Sequence, residues 1–303
     1  MPQATPVALP TSPRLSLPTG LPAQAGVGLR SPHHQEVLAT LPSILPHAGW
    51  FEVHSENFFG AGGEALQVLE SVRQHYPLSL HGVGMSLGAV AGPDARHLDK
   101  LRALVQRVQP AAVSEHLCWS SIGERHLNDL LPLPYTLEAL SVVCANVARV
   151  QDALARPILV ENVSSYLQFA QTDYTEWEFL AEVARRTGCS ILLDVNNIHV
   201  SACNHAFDAT TYLQAMPVEA VGEIHLAGYE TDESGSFLVD THSRPVHEDV
   251  WALYAKALER FGPRPTLIEW DNDIPALSVL LAQAGRAERY LQAAREAHHA
   301  IAA

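Results

Sequence analysis

Residues 190–197 read SILLDVNN: three aliphatic side chains in a row, then an aspartate, then two asparagines around a short turn of polarity. A continuously aliphatic run, with no polar alternation, reads as a strand buried on both faces, as in a parallel sheet covered by helices. A carboxylate closing such a run is costly to bury unless it meets water, a partner charge or a metal. The same arrangement recurs along the chain. WFEVH (50–54) ends at His54, LSLHGVG (78–84) carries His81, and AAVSEHL (111–117) carries Glu115. PILVENV (157–163) carries Glu161, VGEIHLAG (221–228) carries His225, and TLIEWD (266–271) carries Glu269. Asp, Glu and His make up about one residue in six, so seven strand ends of these types in order exceed what composition delivers.

Between these runs lie longer helical patterns, the mark of βα units. Strands are expected at 26–30, 51–54, 78–83, 112–117, 157–163, 190–195, 221–227 and 265–270. Helices are expected near 33–45, 63–75, 93–108, 135–154, 174–187, 208–215, 246–261 and 275–298, with a long polar loop before the fourth. Eight units without a break in composition fit an α/β fold of the (β/α)8 TIM-barrel type. An open doubly wound sheet fits less well, because it offers ligands mainly at its switch point. Residues 23–303 read as this one barrel domain. Residues 1–22 read as a flexible Pro-rich tail, since prolines at that density forbid a stable helix or central strand.

Bulk properties narrow the chemistry. Hydrophobic residues make up 47% of the chain and mean hydropathy is +0.02, enough for a large core. A net charge of −14 argues against a nucleic-acid partner. Only Lys100 and Lys256 are lysines, and neither ends an apolar run, which disfavours Schiff-base chemistry. Cys118, Cys144, Cys189 and Cys203 form no CxxC and suit a reduced, cytoplasmic setting. No run is apolar enough to span a bilayer, and the N-terminus has no secretory h-region.

Barrel enzymes gather their chemistry at the C-terminal ends of the strands. Three imidazoles and four carboxylates cannot gather bare, because like charges repel and drive each other's pKa upward. Bound cations resolve the conflict, and four carboxylates offset two divalent charges. The donors are nitrogen and oxygen without thiolate, leaving Fe, Mn or Zn open. Beyond the seven lie Asn162, Asn196, Asn197 and His199. LAGYETDESGSFLVDTHSRPV reads as a β-hairpin excursion bearing Asp240 and His242 on one face, as further ligands or acid/base groups.

At these residues the chain resembles the multinuclear non-heme iron-dependent oxidative enzymes. The phrases are GVGLR, FEVHSENFF, SLHGVGMSLG, VSEHLCWS, HLNDLLPLPYT, LVENVSSYL, EWEFLAEV, LLDVNNIHVSACNH, GEIHLAGY, DTHSRPV and LIEWDND, covering about residues 26–282. The resemblance implies a barrel of the xylose-isomerase type holding two or three irons in mixed ferrous and ferric states, with dioxygen as co-substrate. It implies action on cysteines of a ribosomally made precursor peptide, thiooxazole formation being one outcome, in a branch that modifies cysteine-rich peptides involved in copper handling. It also implies a small separate partner that recognises the peptide leader. Carried onto this chain, it makes His54, His81 and Glu115 the ligands of one iron. Glu161, Asp194, His225 and Glu269 become those of the second, with Glu115 bridging. Asn162, His199, Asp240 and His242 are candidates for a third; position 199, often tyrosine in this branch, is histidine here. The competing readings are a redox-neutral metal isomerase or endonuclease on a similar barrel, and a non-enzymatic metal- or peptide-binding scaffold.

Overall fold

The computed structural model describes residues 20–302 except 42, 44–46 and 123–124. In chain order its strands begin with β1 (Ala25–Gly28), β2 (Trp50–His54), β3 (Leu78–Gly82) and β4 (Ala112–His116), then β5 (Trp119–Ile122) and β6 (Arg125–Leu131). They continue with β7 (Leu159–Glu161), β8 (Ser190–Asp194), β9 (Val221–Leu226), β10 (Glu230–Thr231), β11 (Leu238–Val239) and β12 (Thr266–Ile268). Eight of them, β1 to β4, β7 to β9 and β12, run parallel and close into a barrel. β12 pairs with β1, so the sheet has no edge. The helices that cover it are α1 (His34–Thr40), α2 (Glu64–Arg73), α3 (Ala95–Val108), α4 (Leu137–Leu154), α5 (Glu176–Thr187), α6 (Val195–His205), α7 (Ala209–Ala215), α8 (Glu248–Phe261) and α9 (Leu277–Ala302). None is long and apolar enough to cross a membrane, among the described residues.

Local chemistry sets the helix ends. Thr175 and Glu178 form a reciprocal capping box at the start of α5, and Gly188 ends it in the left-handed region at φ 70°. Asp94 caps α3 by accepting from His97 N at 2.8 Å. α9 packs where β12 and β1 close the barrel. Glu288 accepts from Ala25 N at 3.0 Å, and Arg295 donates to Ala23 O at 2.7 Å.

Successive strand residues point alternately into the barrel and out toward the helices, and residues paired in register share a face. The register couples His54 to His81, His116 to Glu161 and Asp194 to His225. All six therefore face the interior. Between β8 and β9 the register slips at Ile191/Leu192, so that Val221 and Glu223 face consecutive residues of β8 and Gly222 is the extra residue. That bulge brings Glu223 and His225 inward; a regular ladder would have placed their neighbours there. Below this level Ala112, Leu159 and Leu192 form an apolar floor, against which Leu21 packs. Leu21 thus belongs to the folded body, whereas residues 1–19 of the expected tail lie outside the described residues.

Three segments refine the sequence reading. The polar loop after β4 contains an antiparallel hairpin, β5 with β6. The excursion after β9 does contain a hairpin, β10 with β11. The asparagine-rich segment after Asp194, where no helix is expected, is the helix α6. Asp194 both ends β8 and caps α6, accepting from Asn197 N at 2.6 Å.

Candidate metal centre at the barrel mouth

Two sets of donor atoms share Glu161. In one, His81 Nε2 lies 3.3 Å and His116 Nε2 3.4 Å from Glu161 Oε2, and the two nitrogens are 3.3 Å apart. In the other, Glu161, Asp194, His225 and Glu269 each offer an atom within 4.8 Å of the rest. His225 Nδ1 lies 3.1 Å from Glu269 Oε2 and 4.0 Å from Glu161 Oε1. The two oxygens of one carboxylate thus face two different donor sets, the geometry of a bridging ligand. All of these side chains are buried.

The imidazoles are aimed by what their other nitrogens touch. His81 Nδ1 is hydrogen-bonded to Ser114 Oγ at 2.7 Å, and His116 Nδ1 donates to Gly82 O at 3.0 Å. Both rings therefore turn Nε2 toward Glu161. His225 is reversed: its Nε2 lies 3.3 Å from Glu223 and 3.5 Å from Glu52, which leaves Nδ1 for the cluster. Asp194 spends Oδ1 on its helix cap and leaves Oδ2 without a hydrogen bond, and Glu161 Oε2 is likewise unaligned with any donor.

Electrostatics show what the cluster demands. Burial, with the charges of Glu269 and Asp194 behind it, holds Glu161 well above the usual carboxylate range. Burial and then Asp240 push Asp194 up to about 7, and burial with Glu52 nearby pushes Glu223 up to about 7. Burial depresses His81 and His116, which favours neutral rings with free lone pairs. Against burial, acidic neighbours raise His225 and His242, and these in turn depress Glu269. Buried, unaligned carboxylate oxygens beside neutral imidazoles of fixed orientation are the donor set that a multivalent N/O-ligated metal centre requires.

The rim carries a second network. Arg30 Nε donates to Asp271 Oδ1 at 3.0 Å and Arg30 Nη2 contacts His54 Nε2 at 3.2 Å. His54 groups with Glu269 and Asp271. Asp271 also meets His242 Nδ1 at 3.2 Å, while His242 Nε2 lies 2.7 Å from Asp240 Oδ1. Asn196 Nδ2 donates to the same Asp240 oxygen at 2.7 Å. His242 sits in the left-handed region at φ 48°, so the pair arises from a turn and not from the extended strand expected. Of these groups, His54, Asp240, His242, Glu269 and Asp271 line a cavity of about 670 Å³ that opens above the cluster.

The structure brings His81, Glu161, Asp194, His225 and Glu269 together and places His54, Asp240 and His242 at the rim. Three expected ligands go elsewhere. Glu115 points away from the interior, because β4 alternates and its inward residues are Ser114 and His116; it groups instead with Glu56 and His97. Asn162 uses its amide to tie β7 to β8, donating to Asp194 O and accepting from Asp194 N, both at 2.9 Å. His199 lies on the side of α6 that faces Tyr229, stacked at 5.2 Å, with Cys203 Sγ 3.7 Å from its Nε2. His116, Glu52, Glu223, Arg30 and Asp271 are not among the ligands expected from the sequence. A signal existed for three of them. Glu52-x-His54 and Glu223-x-His225 repeat at strand spacing, and His116 adjoins the acid chosen in its place.

Residues 24–292 match the family described as RiPP precursor modification enzyme MbnB/TglH/ChrH, where a RiPP is a ribosomally synthesised and post-translationally modified peptide. A UPF0276 protein of Chromobacterium violaceum is 52% identical over 278 residues, spanning 92% of this chain and 98% of the relative. One from Caulobacter sp. strain K31 is 54% identical over 268 residues, spanning 88% and 96%. Among solved structures, L-ribulose 3-epimerase superposes with a TM-score of 0.60 at 12% identity, covering 92% of this chain and 98% of that one. Endonuclease IV of Thermus thermophilus superposes with 0.55 at 16% identity, covering 89% and 99%. These two likenesses are of fold alone. On the span of the family match and the identity of the relatives, the chain belongs to the MbnB/TglH/ChrH family of RiPP precursor modification enzymes.

Proposed function

We propose that this protein is a multinuclear iron- and dioxygen-dependent oxidase that modifies cysteine residues of a ribosomally made precursor peptide. The observation that carries the reading is Glu161, whose two oxygens face separate donor sets in the buried barrel interior. His81, His116 and Glu161 would hold one iron, and Glu161, Asp194, His225 and Glu269 the other. Bound irons supply the electron transfer to dioxygen and the affinity for a cysteine thiolate that no side chain here provides.

The chain's own residues do the rest. Ser114 and Gly82 fix the His81 and His116 rings, and Glu223 and Glu52 fix His225. Above them the cavity admits a peptide side chain between His54, His116, Asn197 and His242, and Leu127 and Leu130 help to exclude water. The Asp240–His242 pair, steadied by Asn196, is placed to hold or accept a proton at His242 Nε2. A third metal at Asp240 and His242 belongs to the same proposal, as does a small separate partner that presents the peptide leader.

Protein purified without chelator should carry two or three irons per chain. With a cysteine-bearing precursor peptide it should consume dioxygen and change the peptide's mass at cysteine. Zinc as the only bound metal, with no dioxygen uptake, would sink the proposal and favour a redox-neutral barrel enzyme.

A further inference from the structure

Outside the barrel interior, one cluster of donors has no part in the reading above. Glu56 lies in the short helical turn that follows β2, Glu115 on the outward face of β4, and His97 in the first turn of α3. Each offers one atom within 4.8 Å of the other two. Glu115 is only 1% exposed, and its Oε1 has no hydrogen-bond partner among the described residues. Glu56 Oε1 is pinned by the backbone N–H groups of Val83 and Gly84, at 3.0 and 2.9 Å, while its Oε2 has no partner. His97 Nε2 lies 3.2 Å from Glu56 Oε1, and its ring is held edge-on by Phe59 at 5.0 Å. Among the described residues neither carboxylate makes an ion pair with a lysine or arginine; His97 is the one basic side chain in the cluster.

The surrounding backbone is shaped to this cluster. A Cβ at Gly82 would lie 1.7 Å from Glu115 Oε1, so the carboxylate fills the space that any other residue would occupy. A Cβ at Gly84 would lie 2.8 Å from the His97 ring and 3.2 Å from Glu56 Oε1. The two glycines of LHGVG thus keep room for donors arriving from three separate elements. Glu56, Gly84 and His97 also border the mouth cavity, which gives an ion a route in.

We propose that Glu56, His97 and Glu115 form a separate divalent-cation site on the helix side of β4, distinct from the centre inside the barrel. Two carboxylates and a neutral imidazole balance a dication's charge. An N/O set without thiolate suits Mn2+, Fe2+ or Zn2+. The site would lock the turn after β2, the strand β4 and the helix α3 together on one flank of the cavity mouth. It stands independently of the iron assignment.

The test is ion counting by equilibrium dialysis of metal-stripped protein, with Mn2+ and separately with Zn2+. Wild type, His97→Ala, Glu115→Gln and Glu161→Ala are compared, with circular dichroism to confirm the fold. His97→Ala and Glu115→Gln should each bind one ion fewer per chain than wild type. Glu161→Ala should lose ions from the barrel interior yet keep one that His97→Ala removes in the double variant. Unchanged stoichiometry with both ions in His97→Ala and Glu115→Gln overturns the proposal. Anomalous scattering from Mn2+-soaked wild-type crystals decides it without a variant: a peak between the three side chains supports the site, and none refutes it.

Discussion

In the proposed metal centre Glu161 is the pivotal residue, because it faces both His81 and His116 on one side and His225 on the other. Its neighbour Asp194 faces one set only. Glu161→Ala should therefore lower the metal content of both donor sets together, and Asp194→Asn should lower it by about one ion per chain. Metal analysis of the two purified variants checks this; loss of a single ion in Glu161→Ala would remove the bridging assignment. At the same scale Glu223 and Glu52 matter through His225. They hold its Nε2, so the ring can offer only Nδ1 to the cluster.

At the scale of elements, the ends of β3 and β4 fit each other through a missing side chain. Gly82→Ala places a methyl group within van der Waals radius of the Glu115 carboxylate and should destabilise the fold by about 1–3 kcal/mol. Adding Glu115→Ala removes the clash. The double variant should then be more stable than the sum of the single changes by about 1 kcal/mol or more, in denaturant melts. Strict additivity would show that β3 absorbs the methyl group by shifting. The same pair of strands shows how far sequence reading reaches. In AAVSEHL the presence of a functional strand end is legible, but Glu115 and His116 are adjacent, and only one can face inward. Strands buried on both faces carry no hydrophobic alternation, so the phase of the pleat is hidden. At β8 the sequence marks Asp194 as a strand end, and its second role as the cap of α6 makes a helix of the segment beyond it.

For the whole molecule, the barrel concentrates acid where no lysine is available to offset it. The pKa of Asp194 rises to about 7 from 3.8, and that of Glu223 to about 7 from 4.5, both chiefly by burial. A carboxyl whose folded pKa is raised binds more protons folded than unfolded, so its contribution to stability is present below the unfolded pKa and lost as pH rises through the folded one. Metal-free protein should therefore lose stability as pH rises from about 4 to above 7. Metal-loaded protein should lack most of that loss, since cations replace the protons. Thermal melts with and without chelator should differ by several degrees above neutrality and converge near pH 5. A chelator effect that is absent, or larger in acid, would contradict a multi-cation interior.

What the sequence determined by itself is the architecture and the kind of side chain at the strand ends: eight aliphatic runs in βα rhythm, and acid or imidazole at the ends of seven of them. These are local properties, set by hydrophobic burial and by the cost of closing a buried run with a charge. Only the tertiary structure decided which donors share a face. The phase of β4 exchanged Glu115 for His116, the bulge at Gly222 turned Glu223 and His225 inward, and the positive φ at His242 brought it against Asp240. Each depends on register or on a turn between strands far apart in the chain. In buried strands, polar alternation along the sequence leaves no trace of either.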